Sequence, residues 1–120
     1  MIHAVGTDIL EIERIKNIML RHPNFIRRFY TASEREYILG KNFPYSTAAA
    51  IFAAKEAVSK ALGTGFIGIT FVDVEVLHDS LGKPYLVLHG KAKDIFPSGR
   101  WHLSLSHDKS HAVAFCILEK

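Results

Sequence analysis

Cysteine is almost absent from this sequence, and long apolar runs are absent altogether. The single cysteine, Cys116, excludes a disulfide within the 120-residue chain. It stands in an apolar run typical of a buried strand, so we expect a core thiol and not a reactive nucleophile. No segment reaches the ~20 apolar residues of a membrane span, and no basic leader precedes an apolar stretch. We therefore expect a cytoplasmic protein with no membrane partner.

Glycine and proline do not cluster, and they stand singly at expected element boundaries. The sequence contains no internal repeat, low-complexity tract or linker, which predicts a single domain over residues 1–120. A chain of this size buries roughly two-thirds of the surface that its unfolded state exposes, enough for one core. An active site is therefore expected to be shallow or shared between subunits.

Apolar spacing and capping residues predict several short helices. The first is expected from about Glu11 to Arg21, followed by a helical turn at residues 25–29. Thr31 and Glu34 match a capping box, in which each side chain satisfies a free backbone N–H at a helix start. We expect that helix to end at Gly40.

The longest helix is predicted from Ser46, as the N-cap, to Leu62, with Gly63 as the C-cap. At 100° per residue, one apolar arc consists of Ala50, Ile51, Ala54, Ala57, Val58, Ala61 and Leu62. The opposite arc is expected to be polar and exposed, and consists of Lys55, Glu56, Ser59 and Lys60.

Five strands are predicted around these helices. The first is short and ends near Asp8, and alternating apolar residues at 72–76 and 85–89 indicate a hairpin with a turn at 79–84. A short helix at 91–96 separates this hairpin from two last strands, 102–106 and 112–118. The sequence thus predicts an α+β fold, a mostly antiparallel sheet packed by one long helix and several short helices.

Charge is unevenly distributed, although the net formal charge is only +3. Residues 14–28 contain no acidic residue, and their basic side chains are Arg14, Lys16, Arg21, His22, Arg27 and Arg28. This basic segment is either a solvated helical face or a docking surface for an acidic protein or a nucleic acid.

Asp8 and Glu56 are candidate metal ligands. An aspartate at the end of an apolar strand presents a carboxylate at the sheet edge, although it can equally serve as a helix N-terminal acid. Glu56 and Lys60 stand at i,i+4, which taken alone indicates a surface ion pair. If the two carboxylates converge with lysines nearby, they suit Mg²⁺ completed by water and a diphosphate.

Three other patterns carry little weight. Residues 63–68 match G-x-G-x-x-G but follow a predicted helix instead of a strand, so the dinucleotide-binding mechanism is absent. Ser106, His107 and Asp108 are neighbours on a strand, where alternate side chains face opposite ways, and we do not expect a hydrolase triad. His102, His107 and His111 lack the spacing and cysteine partners of a zinc site.

The sequence resembles the holo-acyl-carrier-protein synthase family, the small bacterial type of 4′-phosphopantetheinyl transferase. The resemblance lies in GTDI at residues 6–9, FAAKEAVSKALGTG at 52–65 and LSLSHD at 103–108, supported by FYT at 29–31 and GKP at 82–84. These segments occur in the family's order and spacing over nearly the whole chain.

The resemblance implies transfer of 4′-phosphopantetheine from coenzyme A to a serine of apo-acyl carrier protein, releasing 3′,5′-ADP, in support of fatty acid biosynthesis. Asp8 and Glu56 would bind Mg²⁺, Lys60 would contact the diphosphate, and Glu56 or a metal-polarised water would take the serine proton. The remaining coenzyme contacts would be Lys55, Gly63, Gly65, Gly82, Lys83, Pro84, Ser106 and His107.

The resemblance also implies a homotrimer with its sites at the subunit interfaces. Acyl carrier proteins resemble acidic helical bundles, so Arg14, Arg21 and Arg28 would dock the carrier protein. Nucleic acid is not expected as a partner. The alternative is a non-catalytic module that binds an acidic protein or nucleic acid through residues 14–28.

Overall fold

The computed structural model describes residues 1–63 and 65–120. Within these ranges the chain forms, in order, β1 (Ile2–Glu11), α1 (Ile12–Arg21), α2 (Phe25–Phe29), α3 (Ala32–Leu39), α4 (Pro44–Leu62), β2 (Val74–His78), β3 (Pro84–Leu88), α5 (Gly90–Ile95), β4 (Arg100–His107) and β5 (His111–Glu119), with a 3₁₀ turn at Phe71–Asp73.

The described strands form two antiparallel sheets. One has the order β1-β5-β4, and the other is the β2-β3 hairpin. The inner face of the three-stranded sheet packs on α4, which also contacts α1, α3 and β2. The predicted fold class is therefore confirmed, with the strands divided between two sheets.

Most predicted elements are confirmed, and the cap of α3 is the clearest case. The Thr31 Oγ1 accepts a hydrogen bond from the Glu34 backbone N at 3.2 Å, and Glu34 Oε1 accepts one from the Thr31 N at 2.8 Å. Both bonds of the capping box are present, and the helix ends before Gly40 as predicted.

Three predicted boundaries are wrong. The strand predicted at 72–76 lies at Val74–His78, because Phe71–Asp73 form a 3₁₀ turn. The first strand does not end near Asp8 but continues to Glu11, because its pairing with β5 continues as far as His111. Ser46 is not the N-cap of α4, since the helix begins at Pro44, whose fixed φ suits the first helical position.

The predicted polar arc of α4 is also wrong in part. Lys55 and Ser59 are buried, Glu56 is half-buried, and Lys60 alone of the four is exposed. The helical pattern failed because α4 is covered by the sheet on one side and by α3 and β2 on another. Lys55 is accommodated there by an ion pair with Glu34, with 2.8 Å between Nζ and Oε1.

Cys116 faces the same packed interior from β5, and its side chain is buried as predicted. Burial raises the pKa of the thiol to about 11, so the group stays protonated at neutral pH. The thiolate is the nucleophilic form, and Cys116 is therefore an inert core residue.

None of the helices within the described ranges is long and apolar enough to cross a membrane.

The contact between β1 and α4 depends on Gly6. A Cβ atom at this position would lie 1.9 Å from the Ala57 carbonyl oxygen and 2.9 Å from the Ala61 nitrogen. Only glycine permits this approach, because both obstructing groups are backbone. Asp8, two residues further along the strand, shares the inward face with Gly6 and so lies beside α4.

We predict that Gly6→Ala destabilises the fold by about 3 kcal/mol, the upper end of the range for overpacked interiors, because neither backbone can move independently. Urea unfolding measures the change. Gly40→Ala is the matched control: its Cβ would lie 3.3 Å from the Glu36 oxygen, with an ordinary negative φ. We expect the control to change stability by less than about 1 kcal/mol. Equal effects of the two substitutions would contradict the close-approach explanation.

Candidate active site

Asp8, Glu56 and Lys60 meet where β1 crosses the second half of α4. Asp8 is paired with Ala114 of β5 and faces the helix. The Lys60 Nζ donates a hydrogen bond to the Asp8 Oδ1 at 2.9 Å. Glu56 and Lys60 are one helical turn apart and share this side of α4. The structure thus brings together the three residues predicted to carry the chemistry.

The charges in this group act on one another. Burial, and then the negative charge of Asp8, raise the pKa of Glu56, while the positive charge of Lys60 opposes the shift. The hydrogen bond and charge of Asp8 raise the pKa of Lys60, whose side chain is 58% exposed. A carboxylate whose ionisation is opposed by a neighbouring negative charge favours a cation beside it.

The donor set fits Mg²⁺ only in part. Among the described residues, no group of three or more His, Cys, Asp or Glu side chains is arranged to hold a metal ion. Asp8 and Glu56 supply two carboxylates, which is the number that Mg²⁺ commonly takes from protein when substrate phosphates and water complete its shell. The site therefore suits a magnesium ion that arrives with a phosphorylated ligand.

The loop after α4 lies directly beyond Lys60. Gly63 ends the helix with φ of 73°, a left-handed conformation that favours glycine, and its N–H bonds back to the Ser59 and Lys60 carbonyls. Gly65 follows, whereas Thr64 lies outside the described residues. The G-x-G-x-x-G string thus follows a helix, which agrees with its rejection as a dinucleotide fingerprint.

Ser106 and His107 line a cavity of about 390 Å³ beside the first half of α4. Its other walls include residues that the sequence analysis did not select: Tyr37, Lys41, Thr47 and His78. Lys41 supplies a positive charge to a cavity that also offers hydroxyl and imidazole groups, a combination suited to an anionic ligand. Lys41 comes from the loop before α4, and no pattern in the sequence connects it with β4.

Two stacked rings form one wall of this cavity. The rings of Tyr37 and His78 are 3.9 Å apart and nearly parallel, and the Lys41 Nζ lies 4.4 Å from the Tyr37 ring centre. Burial, and then the charge of Lys41, lower the pKa of His78. The same rings border a second cavity, of about 500 Å³, which contains none of the predicted site residues.

Gly82, Lys83 and Pro84 lie at the turn of the β2-β3 hairpin. The Asp79 carboxylate accepts hydrogen bonds from the Leu81 and Lys83 backbone nitrogens, each at 2.9 Å, and so orders the turn. Pro84 pairs across the hairpin with His78, which borders the cavity. The hairpin turn therefore belongs with the His107 side of the molecule and not with Asp8.

The two groups of predicted contacts do not share a cavity within one chain. None of the described cavities that His107 lines includes Asp8, Glu56 or Lys60. Thr47 and Lys60 are 13 residues apart on α4, or about 20 Å along the helix axis. Two half-sites therefore lie at opposite ends of the long helix.

Lys55 does not fit its predicted role as a coenzyme contact. Its side chain is fully buried, and its ammonium donates to the Glu34 Oε1 and to the Phe71 carbonyl, each at 2.8 Å. The sequence analysis assigned Glu34 only to the capping box, so it did not identify the ion pair between Glu34 and Lys55.

The side chains of the other two discounted patterns have partners outside the expected triad and zinc site. The Asp108 carboxylate accepts backbone hydrogen bonds from Ser110 and His111, so it orders a turn instead of orienting His107. The three histidines considered for zinc have separate partners: His102 contacts Glu119, His107 contacts the Asp108 carbonyl, and His111 contacts Ser110.

The basic segment is exposed. Arg14 and Arg21 lie on the outer side of α1, whose inner side buries Ile12 and Ile15, and Arg28 is exposed on α2. Among the residues that the structure describes, none of these three arginines forms an ion pair. Their charges are therefore available to an acidic partner.

Comparison with known proteins identifies the family of this chain. The chain matches the model of the 4′-phosphopantetheinyl transferase superfamily over residues 4–116. It is 48% identical to the holo-[acyl-carrier-protein] synthase of Clostridium botulinum (strain Alaska E43 / Type E3) over 121 residues, which cover 99% of this chain and 98% of the relative.

Solved structures give the same result. A Bacillus anthracis str. Ames holo-(acyl-carrier-protein) synthase in complex with CoA (3′,5′-ADP) superposes with a TM-score of 0.85 and 38% identity, covering 99% of this chain and 97% of that one. The Helicobacter pylori synthase in complex with coenzyme A gives 0.86 and 32%, covering 96% and 99%. By the extent of these matches, the chain belongs to the 4′-phosphopantetheinyl transferase superfamily, among its holo-acyl-carrier-protein synthases.

Proposed function

We propose that this protein transfers the 4′-phosphopantetheine group of coenzyme A to a serine of apo-acyl carrier protein, releasing 3′,5′-ADP in support of fatty acid biosynthesis. The observation that carries the proposal is the meeting of Asp8, Glu56 and Lys60 at one exposed edge of the fold. A module that only bound an acidic protein or a nucleic acid would have no use for this group. The synthase relatives likewise favour the transferase over that alternative.

The reaction forms a bond from the serine oxygen to the phosphorus that bears pantetheine and breaks the bond from that phosphorus to the oxygen of the departing ADP. Lys60 places its ammonium beside the diphosphate and stabilises the negative charge that develops on the leaving phosphate. The serine proton leaves to Glu56 or to a water beside it. The cavity of about 390 Å³, lined by Lys41, Ser106 and His107, receives the nucleotide end of coenzyme A together with the Gly82–Pro84 turn.

Asp8 and Glu56 are the residues that would hold Mg²⁺. When bound, the ion neutralises diphosphate charge and polarises the phosphoryl oxygens. The Lys60 ammonium lies 2.9 Å from the Asp8 Oδ1, and this contact with a cationic group supports the proposal that the carboxylate holds a cation.

The proposed active site is shared between copies of the chain in a homotrimer. One support is the separation of the half-sites along α4 described above. Another is the outer face of the three-stranded sheet, where Val5, Ile9, Val113 and Phe115 remain exposed. Ile9 is 64% exposed, although β-branched apolar side chains are among the residues most often buried. A second copy on this face would cover the apolar side chains and bring a neighbouring His107 side toward Asp8.

The carrier protein docks on the basic segment. Arg14 and Arg21 follow Asp8 closely in sequence, since α1 begins at Ile12 directly after β1. An acidic helix lying against these arginines would place its serine near the Asp8 edge. The remaining partner, coenzyme A, approaches from the other side of α4. Location in the cytoplasm, where both substrates are available, is consistent with this assignment.

The proposal is tested by mass spectrometry of apo-acyl carrier protein after incubation with this chain, coenzyme A and Mg²⁺, in which the carrier gains one phosphopantetheine. We expect Asp8→Asn and Glu56→Gln to lower kcat/KM at least about 100-fold, because each keeps its shape and loses a ligand charge. Circular dichroism should show an intact fold for both variants. Near-normal transfer by both would contradict the metal-site assignment.

Lys60→Met separates transition-state stabilisation from binding in the same assay. It keeps the apolar stem and loses the charge, so kcat should fall more than the affinity for coenzyme A. Loss of affinity with an unchanged kcat would reduce Lys60 to a ground-state phosphate contact.

Subunit sharing predicts complementation. Asp8→Asn and His107→Ala should each be inactive alone, and unfolding and refolding them together should restore part of the activity, because some interfaces then combine an intact Asp8 with an intact His107. Phe115→Glu should give monomers in analytical ultracentrifugation, whereas Ile95→Glu, an exposed apolar residue outside the sheet face, should not. No recovery in the mixture would show that each site is built by one chain.

Carrier docking predicts a selective effect of charge reversal. Arg14→Glu with Arg21→Glu and Arg28→Glu should raise KM for the carrier protein at least about tenfold, most strongly at low ionic strength. KM for coenzyme A should stay within about twofold. Lys93→Glu on α5 is the control for a change in surface charge. Parallel loss of both affinities would place the arginines in the nucleotide site or in the fold.

A further inference from the structure

The buried pair of Glu34 and Lys55 has no part in the reaction as proposed, yet its hydrogen bonds connect several elements of the fold. The Glu34 Oε1 accepts from the Lys55 Nζ and from the Thr31 N, each at 2.8 Å. The Glu34 Oε2 accepts from the Val76 N at 2.7 Å. Lys55 also donates to the Phe71 carbonyl at 2.8 Å. These two side chains thus join α3, α4, the 3₁₀ turn at Phe71–Asp73 and β2.

This arrangement is costly to build. Both side chains are 0% exposed, and each charge has lost its hydration. Burial lowers the pKa of Lys55, while the charge and hydrogen bond of Glu34 oppose the shift. An apolar pair of similar volume would fill the space at equal or lower cost, so a contribution to stability alone does not account for the pair.

The pair lies between the two half-sites. Lys55 precedes Glu56 on α4, and Val76 stands two residues before His78, which lines the cavity and pairs with Pro84 at the hairpin turn. A second link supports the same connection, because the Thr31 hydroxyl bonds to Glu75, whose carboxylate also contacts the His89 Nε2 at 2.8 Å. The hairpin is therefore fixed to the helices through buried charged groups at its base.

We infer that Glu34 and Lys55 are positioning residues for the transfer reaction: their ion pair fixes the β2-β3 hairpin, with its Gly82–Pro84 turn, against the helix that carries Glu56 and Lys60. The inference rests on the proposed function. It replaces the expected contact between Lys55 and the coenzyme with an indirect role. Loss of the pair lets the hairpin move and weakens the nucleotide side of the site, while the Asp8 edge keeps its chemistry.

The test compares Glu34→Gln, Lys55→Met and the double variant Glu34→Met with Lys55→Met. The double variant leaves no unpaired buried charge and is the one expected to fold most securely. In it, KM for coenzyme A should rise about tenfold while kcat at saturation stays within about threefold. Tyr30→Phe is the matched control, because the Tyr30 ring lies 5.6 Å from the Lys55 Nζ. The substitution removes the buried hydrogen bond from the Tyr30 hydroxyl to the Ala48 carbonyl but leaves the hairpin links intact.

Hydrogen exchange of the free proteins gives a readout that does not depend on turnover. Amides of residues 74–88 should exchange faster in the double variant, while those of β1 and β5 remain as in the parent chain. A double variant with parental KM and parental exchange would reduce the pair to a structural role and overturn the inference. A raised KM in Lys55→Met with a parental KM in Glu34→Gln would overturn it in favour of direct contact.

The experiments also distinguish failure of this inference from failure of the proposed function. If the parent chain does not modify apo-acyl carrier protein, the exchange of residues 74–88 still reports whether the pair fixes the hairpin. Faster exchange with no transfer by the parent chain would reject the function and leave the mechanical coupling in place. Faster exchange with parental KM would reject the positioning role alone.

Discussion

The backbone contact between Gly6 and Ala57 is the constraint on which the rest of the structure depends. It sets the distance between β1 and α4, and Asp8 lies beside Lys60 because it follows Gly6 by two residues on the same strand face. A larger residue at position 6 would separate the strand from the helix and move the carboxylate away from its partners. The position of Asp8 in the site thus depends on a residue without a side chain at position 6.

The second constraint is electrostatic, and it acts at the other side of α4. Glu34 and Lys55 are buried as a charged pair, whereas Asp8, Glu56 and Lys60 share a partly solvated edge. A buried pair held by several hydrogen bonds is rigid, and a partly exposed group with an excess of carboxylate can exchange partners. Adjacent residues of α4 therefore differ in their contacts. Lys55 belongs to a fixed ion pair, whereas Glu56 belongs to a group that can exchange partners.

Local patterns predicted the elements well and the burial of charges badly. Helical spacing, the Thr31 capping box and strand alternation depend on neighbours in sequence, and these predictions were confirmed. The position of Lys55 depends on Glu34, 21 residues away, and no periodicity reports such a partner. Lys41 was missed for the same reason, since only the folded chain brings it to His107. The meeting of Asp8 with Lys60 also required the structure, although family resemblance had singled out both residues.

The direct passage from β1 into α1 has a consequence for the geometry of catalysis. Glu11 ends the strand and Ile12 begins the helix, and the Ile12 N–H bonds to the Ser110 carbonyl at 2.9 Å, so no hinge separates Asp8 from Arg14. In the proposed reaction, the surface that receives the carrier and the carboxylate beside the phosphate form one rigid body. The surfaces that position the serine and the phosphorus are then preorganised before either substrate binds. Docking alone aligns the reacting atoms, and the enzyme does not have to close afterwards.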